Sequence, residues 1–106
     1  MNVQFKKGVV EICVLLIISK EDSYGFEIVD KVNEHFECSS NTIYPILKRF
    51  IDDALCTTYL MESTSGPARK YYKITNKGIE QLTQLIMSYE AFTKSVNTLI
   101  KENQNE

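Results

Sequence analysis

Tryptophan is absent from this chain, histidine occurs once (His35), and proline only twice, at Pro45 and Pro67. These shortages exclude a good deal. A single histidine has no spaced companions for a metal. Cys13, Cys38 and Cys56 are an odd set without a C-x-x-C pair, which argues against both a zinc site and a disulfide framework. The thiols read as small buried hydrophobes in a reducing, cytoplasmic setting. No Ser/His/Asp set and no glycine-rich phosphate loop is present, so the chain is not expected to be an enzyme or to need a cofactor. Long apolar runs are missing too. Glu11 interrupts the stretch from Val9 to Ile18, which falls well short of the ~20 residues of a membrane span. Lys6 and Lys7 precede it, yet no small-residue cleavage site follows, so it reads as a buried helix rather than a signal peptide, and no membrane partner is expected.

What remains is the composition of one ordinary soluble domain: 106 residues, 43% hydrophobic and 25% charged, with a formal net charge of −2. Positive charge is concentrated. Between Pro67 and Ile79 stand Arg69, Lys70, Lys73 and Lys77 with no acid among them. A cationic β-ribbon in an otherwise acidic chain points to local contact with a phosphate backbone, and double-stranded DNA is the partner it suggests first.

The order of elements agrees with that reading. Residues 6–19 form an apolar helix, enclosed by other elements or by a partner subunit. Asp22 or Ser23 is placed to cap a second helix from Tyr24 to about Phe36, whose apolar positions are Tyr24, Ile28, Val29, Val32 and Phe36 and whose other face is acidic. A third helix starts near Ser39 or Ser40 and runs to about Ala54, with Ile43, Ile46, Leu47 and Phe50 as its stripe and Pro45 tolerated near its start. Thr57–Glu62 and Arg69–Thr75 are β-prone and joined by Ser63–Ala68, a hairpin with a loop of several residues. Alternation places Arg69, Tyr71 and Lys73 on one face and Lys70, Tyr72 and Ile74 on the other, and leaves open which face is inward. Thr75 or Asn76 caps a long last helix with a frayed polar tail, Lys101–Glu106. Leu82, Tyr89 and Val96 occupy one position of a heptad seam on it, and Leu85, Phe92 and Leu99 the other.

Helix, helix, helix, hairpin, helix predicts a mainly α fold with a small β-hairpin: a winged helix-turn-helix over residues 1–75 and a C-terminal dimerisation helix and tail over 76–106. In that fold the third helix enters the major groove and the hairpin tip lies along the adjacent backbone. Ser40, Asn41 and Thr42 at the helix start, with Tyr44 and Lys48 farther along, are the DNA-facing candidates. Arg49 is a candidate or an ion-pair partner of Asp52 or Asp53. Arg69, Lys70 and Lys73 are the wing's candidates.

Four segments then resemble the PadR-like family of bacterial transcriptional regulators. Ser23-Tyr24-Gly25-Phe26-Glu27-Ile28 is similar to the family's His-Gly-Tyr-Glu-Ile segment. Asn41-Thr42-Ile43-Tyr44-Pro45-Ile46-Leu47-Lys48-Arg49-Phe50 resembles its recognition helix, Gly-Thr-Leu-Tyr-Pro-x-Leu-x-Arg-Leu. Gly66-Pro67-Ala68-Arg69-Lys70-Tyr71-Tyr72-Lys73-Ile74-Thr75 resembles its wing, and Lys77-Gly78 follows as in its Thr-x-x-Gly. The chain departs from the pattern at Ala54, where the family has a glycine suited to a left-handed helix cap, and at Asn41, where glycine is common. The resemblance implies a repressor that binds a pseudo-palindromic operator as a homodimer through its first and last helices. It also implies, for some short members, a flat hydrophobic ligand held at the dimer centre against a tryptophan, whose matching position here is Tyr89. Val9, Ile12 and Cys13 on the first helix and Tyr89, Phe92 and Val96 on the last are the corresponding ligand candidates. Leu82, Leu85, Tyr89, Phe92, Val96 and Leu99 are the dimer candidates. The competing reading keeps the fold but uses it as a protein–protein contact module without DNA binding.

Overall fold

The computed structural model describes residues 3–104, and side-chain surroundings from Gly8 onward. The side chains of Lys6 and Lys7, and the tail residues Asn105 and Glu106, lie outside the described set. In chain order the elements are α1 (Val3–Lys20), β1 (Ser23–Tyr24), α2 (Gly25–Asn33), α3 (Ser40–Asp52), β2 (Cys56–Ser63), β3 (Gly66–Ile74) and α4 (Asn76–Gln104). The strands form one antiparallel sheet in the order β1-β3-β2. This is the winged helix-turn-helix.

One core serves the whole arrangement. Val10, Val14, Leu15 and Ile18 of α1 meet Ile28 and Val32 of α2 and Ile43, Ile46, Leu47 and Phe50 of α3, with Leu55, Cys56, Tyr72 and Leu82 closing it. The α3 set repeats at i, i+3, i+4 and i+7, which is a single helical face. Burying each such aliphatic side chain favours folding by about 1.5–3 kcal/mol.

Side-chain hydrogen bonds fix the turn between α2 and α3. Asn33 Nδ2 donates to the Val29 carbonyl at 2.8 Å and to the Cys38 carbonyl at 2.7 Å, and Asn33 Oδ1 accepts the Cys38 N–H at 3.0 Å. One amide thus ends α2 and sets the angle at which α3 departs. The second helix is therefore shorter than its apolar pattern suggests, and Phe36 packs against the core from the turn.

At the other end of α3, Ala54 has a φ of 60°. The Leu55 N–H bonds the Phe50 carbonyl at 2.8 Å and the Ala54 N–H bonds the Ile51 carbonyl at 3.0 Å. This pair of bonds is a Schellman cap, formed here without the glycine that usually occupies its left-handed position. Thr75 then ties three elements together. Its N–H donates to the Leu55 carbonyl (3.0 Å), its hydroxyl donates to the Ala54 carbonyl (2.7 Å), and the same oxygen accepts the Gly78 N–H (3.0 Å) as the cap of α4. Lys77 Nζ donates to the Asp53 carbonyl at 2.9 Å, so this cation of the basic segment is spent on the end of α3. Gly78 is required by close approach: a β-carbon there would sit 2.1 Å from the Leu55 carbonyl oxygen.

Four sequence expectations change in the folded chain. Ser23 does not cap α2. It is buried in β1, paired with Tyr72, and its hydroxyl bonds the Glu21 carbonyl, while Tyr24 stands at the N-cap without a side-chain bond. The hairpin loop is tighter than Ser63–Ala68, because Ser63 already pairs with Gly66. Met61 pairs with Arg69, so Pro67 and Ala68 together face Glu62 as a bulge, which is where a strand can hold a proline. Arg49 pairs with Glu11 of α1, while Lys48 takes Asp52 at 3.4 Å. The polar tail stays helical through Gln104.

Candidate nucleic-acid interface

Because α3 buries Ile43, Ile46, Leu47 and Phe50, the remaining arc of the helix faces solvent. Ser40, Asn41, Tyr44 and Lys48 are exposed and Thr42 is half-buried. Neither Asp nor Glu stands in the first turn, and the Ser39 hydroxyl caps none of its backbone N–H groups, lying instead 3.5 Å from the Thr42 hydroxyl. The leading N–H groups and dipole of α3 therefore offer positive potential. Pro45 has no N–H for the Asn41 carbonyl, which lacks its helical donor as a result. Lys48 is held only by an exposed i,i+4 pair with Asp52, an interaction worth at most a few tenths of a kcal/mol, so it can reorient at little cost. Tyr44 lies across the start of α2: a β-carbon on Gly25 would approach its hydroxyl oxygen to 2.9 Å. This contact explains why Gly25 opens α2 and fixes where the Tyr44 hydroxyl emerges.

The wing's two faces are now assigned. Tyr72 is buried and Ile74 half-buried on the inward side, beside Ser23 and Cys56. Lys70 shares that side but lies beyond the core, with its ammonium 5.7 Å from the Tyr72 ring centroid. Arg69, Tyr71 and Lys73 face outward. Tyr71 stacks on Tyr59 with 5.6 Å between centroids and meets Tyr24 edge-on at the same distance. The Arg69 guanidinium sits 4.6 Å above the Tyr24 ring, and the Tyr59 hydroxyl donates to Asp22 at 2.7 Å. That hydrogen bond raises the Tyr59 pKa. Burial raises that of Tyr72. Both hydroxyls thus stay protonated near neutrality. The aromatic brace joins the hairpin to the segment between α1 and α2 and holds Arg69 in an extended, exposed position.

Sequence reasoning missed this brace. It depends on β1, a two-residue strand that exists only through pairing with Tyr71 and Tyr72. The Glu11–Arg49 contact was missed as well, although a lone acid inside an apolar helix was a usable signal.

A second feature lies between α1 and α4. Val9, Ile12, Leu85, Tyr89 and Phe92, together with Gly8, Glu11, Ser88 and Thr93, line a mostly apolar groove of about 390 Å³. Of the ligand candidates, Val9, Ile12, Tyr89 and Phe92 line it, and Cys13 and Val96 do not. The heptad seam divides in the same region. Leu82 is buried in the chain's own core and Leu85 packs against it, whereas Tyr89, Phe92, Val96 and Leu99 are exposed. Phe92 is 68% exposed and Leu99 65%.

Exposed recognition-helix positions beside a basic wing define a helix-turn-helix protein of the winged type. Residues 14–84, about two thirds of the chain, match the transcriptional regulator PadR-like family. The chain belongs to that family. A PadR-like transcriptional regulator from Bacillus cereus is 43% identical, with a TM-score of 0.83 over 92% of this chain and 96% of its own. A PadR-like transcription factor from Bacteroides fragilis is 38% identical, with a TM-score of 0.76 over 91% and 94%. Bacillus subtilis PadR, solved in complex with operator DNA, shares the fold at 21% identity and a TM-score of 0.66, over 74% of this chain and 46% of that one. Among the described residues no helix is long and apolar enough to cross a membrane, and no cluster of His, Cys, Asp and Glu could hold a metal.

Proposed function

We propose that this regulator binds double-stranded DNA sequence-specifically, as a homodimer on a pseudo-palindromic operator, and represses transcription by occupying it. The observation that carries the reading is the exposed arc of α3, Ser40, Asn41, Tyr44 and Lys48, standing beside a wing that offers Arg69, Lys70 and Lys73. Short polar groups and free N–H donors at the α3 start suit base edges and phosphates, with Thr42 behind them. The wing cations suit the backbone alone, adding affinity and salt dependence rather than sequence reading.

Dimerisation is supported by the apolar stripe Tyr89, Phe92, Val96 and Leu99, which the chain's own core leaves uncovered. A stripe of that kind on a helix of 29 residues is suited to a second copy packing along α1 and α4. The groove between those helices is the place for a small planar hydrophobic ligand that releases the DNA.

Fluorescence anisotropy with DNA from upstream of the protein's own gene and with a scrambled fragment, at two salt concentrations, tests the reading. Preference for the native fragment and weakening with salt are expected. Binding of neither fragment, or equal and salt-insensitive binding of both, would favour the protein-contact alternative.

A further inference from the structure

β2 is an outer strand of the sheet, since the strand order is β1-β3-β2. Its eight residues, Cys56–Ser63, pair with β3 along one edge, and among the described residues no strand pairs along the other. Folded proteins usually blunt such an edge with lysine, proline or a bulge. None of these stands on β2, because the cations and the Pro67 bulge all belong to β3. The exposed run Thr57-Thr58-Tyr59-Leu60-Met61-Glu62 is instead rich in β-branched and aromatic residues, with Leu60 72% and Met61 48% exposed. Glu62 is its one charge. The register fixes what lies behind this edge. On the outward side Met61 faces Arg69 and Thr57 faces Lys73, and on the other side Leu60 faces Lys70. The free edge thus has an apolar middle and stands one strand away from three cations.

We propose that the outer edge of β2 receives an extended acidic–apolar segment of a partner protein, which adds a fourth strand to the sheet and displaces DNA from the wing. This goes beyond the DNA-binding reading above, and its displacement step rests on that reading. A strand edge presents N–H donors and carbonyl acceptors in alternation. A phosphate backbone only accepts, so it would satisfy half of such an edge and repel the rest. Another peptide strand satisfies both halves. A second copy of β2 is a poor occupant, because it would bring two cationic wings together. An added strand lies ~4.8 Å from β2 and about twice that from β3. Acids opposite Thr57 and Met61 reach Lys73 and Arg69 from there, and an apolar residue between them covers Leu60. Three cations against the single Glu62 favour an acidic segment. The same cations are the wing's proposed phosphate contacts, so the segment and DNA exclude each other.

The probe is a capped pentapeptide, Glu-Val-Tyr-Val-Glu, whose palindromic order suits pairing in either direction. It is titrated into the isotope-labelled full chain, with amide shifts and hydrogen exchange as readouts. Saturable shifts should centre on Thr57–Glu62, and exchange should slow at alternate residues of β2. The neutral counterpart Gln-Val-Tyr-Val-Gln should bind at least about fivefold more weakly. N-methylation of alternate peptide residues should abolish binding in one phase and spare it in the other, because only one phase faces β2. Leu60→Ser, a change at an exposed side chain, should weaken binding at least about threefold. The absence of a saturable shift in β2 would overturn the proposal. So would equal binding of the neutral peptide, or equal effects of the two methylation phases. Exchange at these amides that slows with protein concentration alone would place a second copy on the edge and overturn it as well. In a second arm, saturating acidic peptide should weaken wild-type binding to a DNA duplex, and the non-binding methylated peptide should not. Joint binding of peptide and DNA without mutual weakening would overturn the displacement. Failure of the wild type to bind DNA at all would count against the DNA reading instead, while the titration still decides the edge.

Discussion

Ala54 shows what one residue does in this fold. It holds φ at 60° because Leu55 and Ala54 must reach back to Phe50 and Ile51, and because the Leu55 carbonyl must turn toward Thr75. Geometry outweighs the preference of an L-residue for negative φ, at a cost of about 1 kcal/mol. Ala54→Gly should therefore raise the unfolding free energy by about that amount in urea denaturation, with DNA affinity unchanged. Cys56 offers a residue-scale test of burial. Burial raises its thiol pKa from 9.0 to about 11, only partly opposed by Lys70. The folded state thus favours the neutral thiol. Its contribution is fully present below pH 9 and is lost as pH rises toward 11. Stability should decline as pH rises above 9, and Cys56→Ala should reduce that decline, leaving the part that comes from Cys13, whose thiol burial also raises.

At the scale of elements, periodicity was readable and pairing was not. The α3 stripe and a helix start near Ser39 or Ser40 follow from four apolar residues and a capping cluster, and residue type offers Thr75 or Asn76 as the cap of α4, of which the fold uses Thr75. Alternation along β3 left its two faces equivalent, because Tyr71 and Tyr72 are equally able to pack. Only Ser23 and Tyr24, arriving from a distant part of the chain, decide that Tyr72 goes inward. The Pro67 bulge was hidden for a similar reason, since it is defined by what Glu62 faces across the ladder. The Glu11 partner of Arg49 was hidden because sequence spacing offers Asp52 and Asp53 but cannot show that α1 passes beside α3. The resolved wing makes a clear prediction. Lys70→Ala should weaken binding to every DNA fragment and reduce the salt slope by roughly one unit. A changed sequence preference with an unchanged slope would mean that Lys70 reads bases.

For the whole molecule, α4 is the element that the rest of the chain leaves most uncovered. Its 29 residues span about 43 Å, and among them only Gly78 and Leu82 are buried within the chain. Phe92→Glu places a charge in the middle of the exposed stripe and leaves the chain's own core alone. Sedimentation should find the wild type dimeric at micromolar concentration and this variant monomeric, with an unchanged helical signal. Its DNA affinity should fall by orders of magnitude, because two half-sites no longer bind as one unit.

Hydroxyl-radical footprinting on a genomic fragment selected by the protein decides whether a dimer reads DNA through α3. A two-fold dimer with one α3 in each of two successive major grooves predicts paired protected patches about 34 Å apart and related by a dyad. A single patch, or uniform weak protection without a dyad, would contradict a dimer reading DNA through its recognition helices.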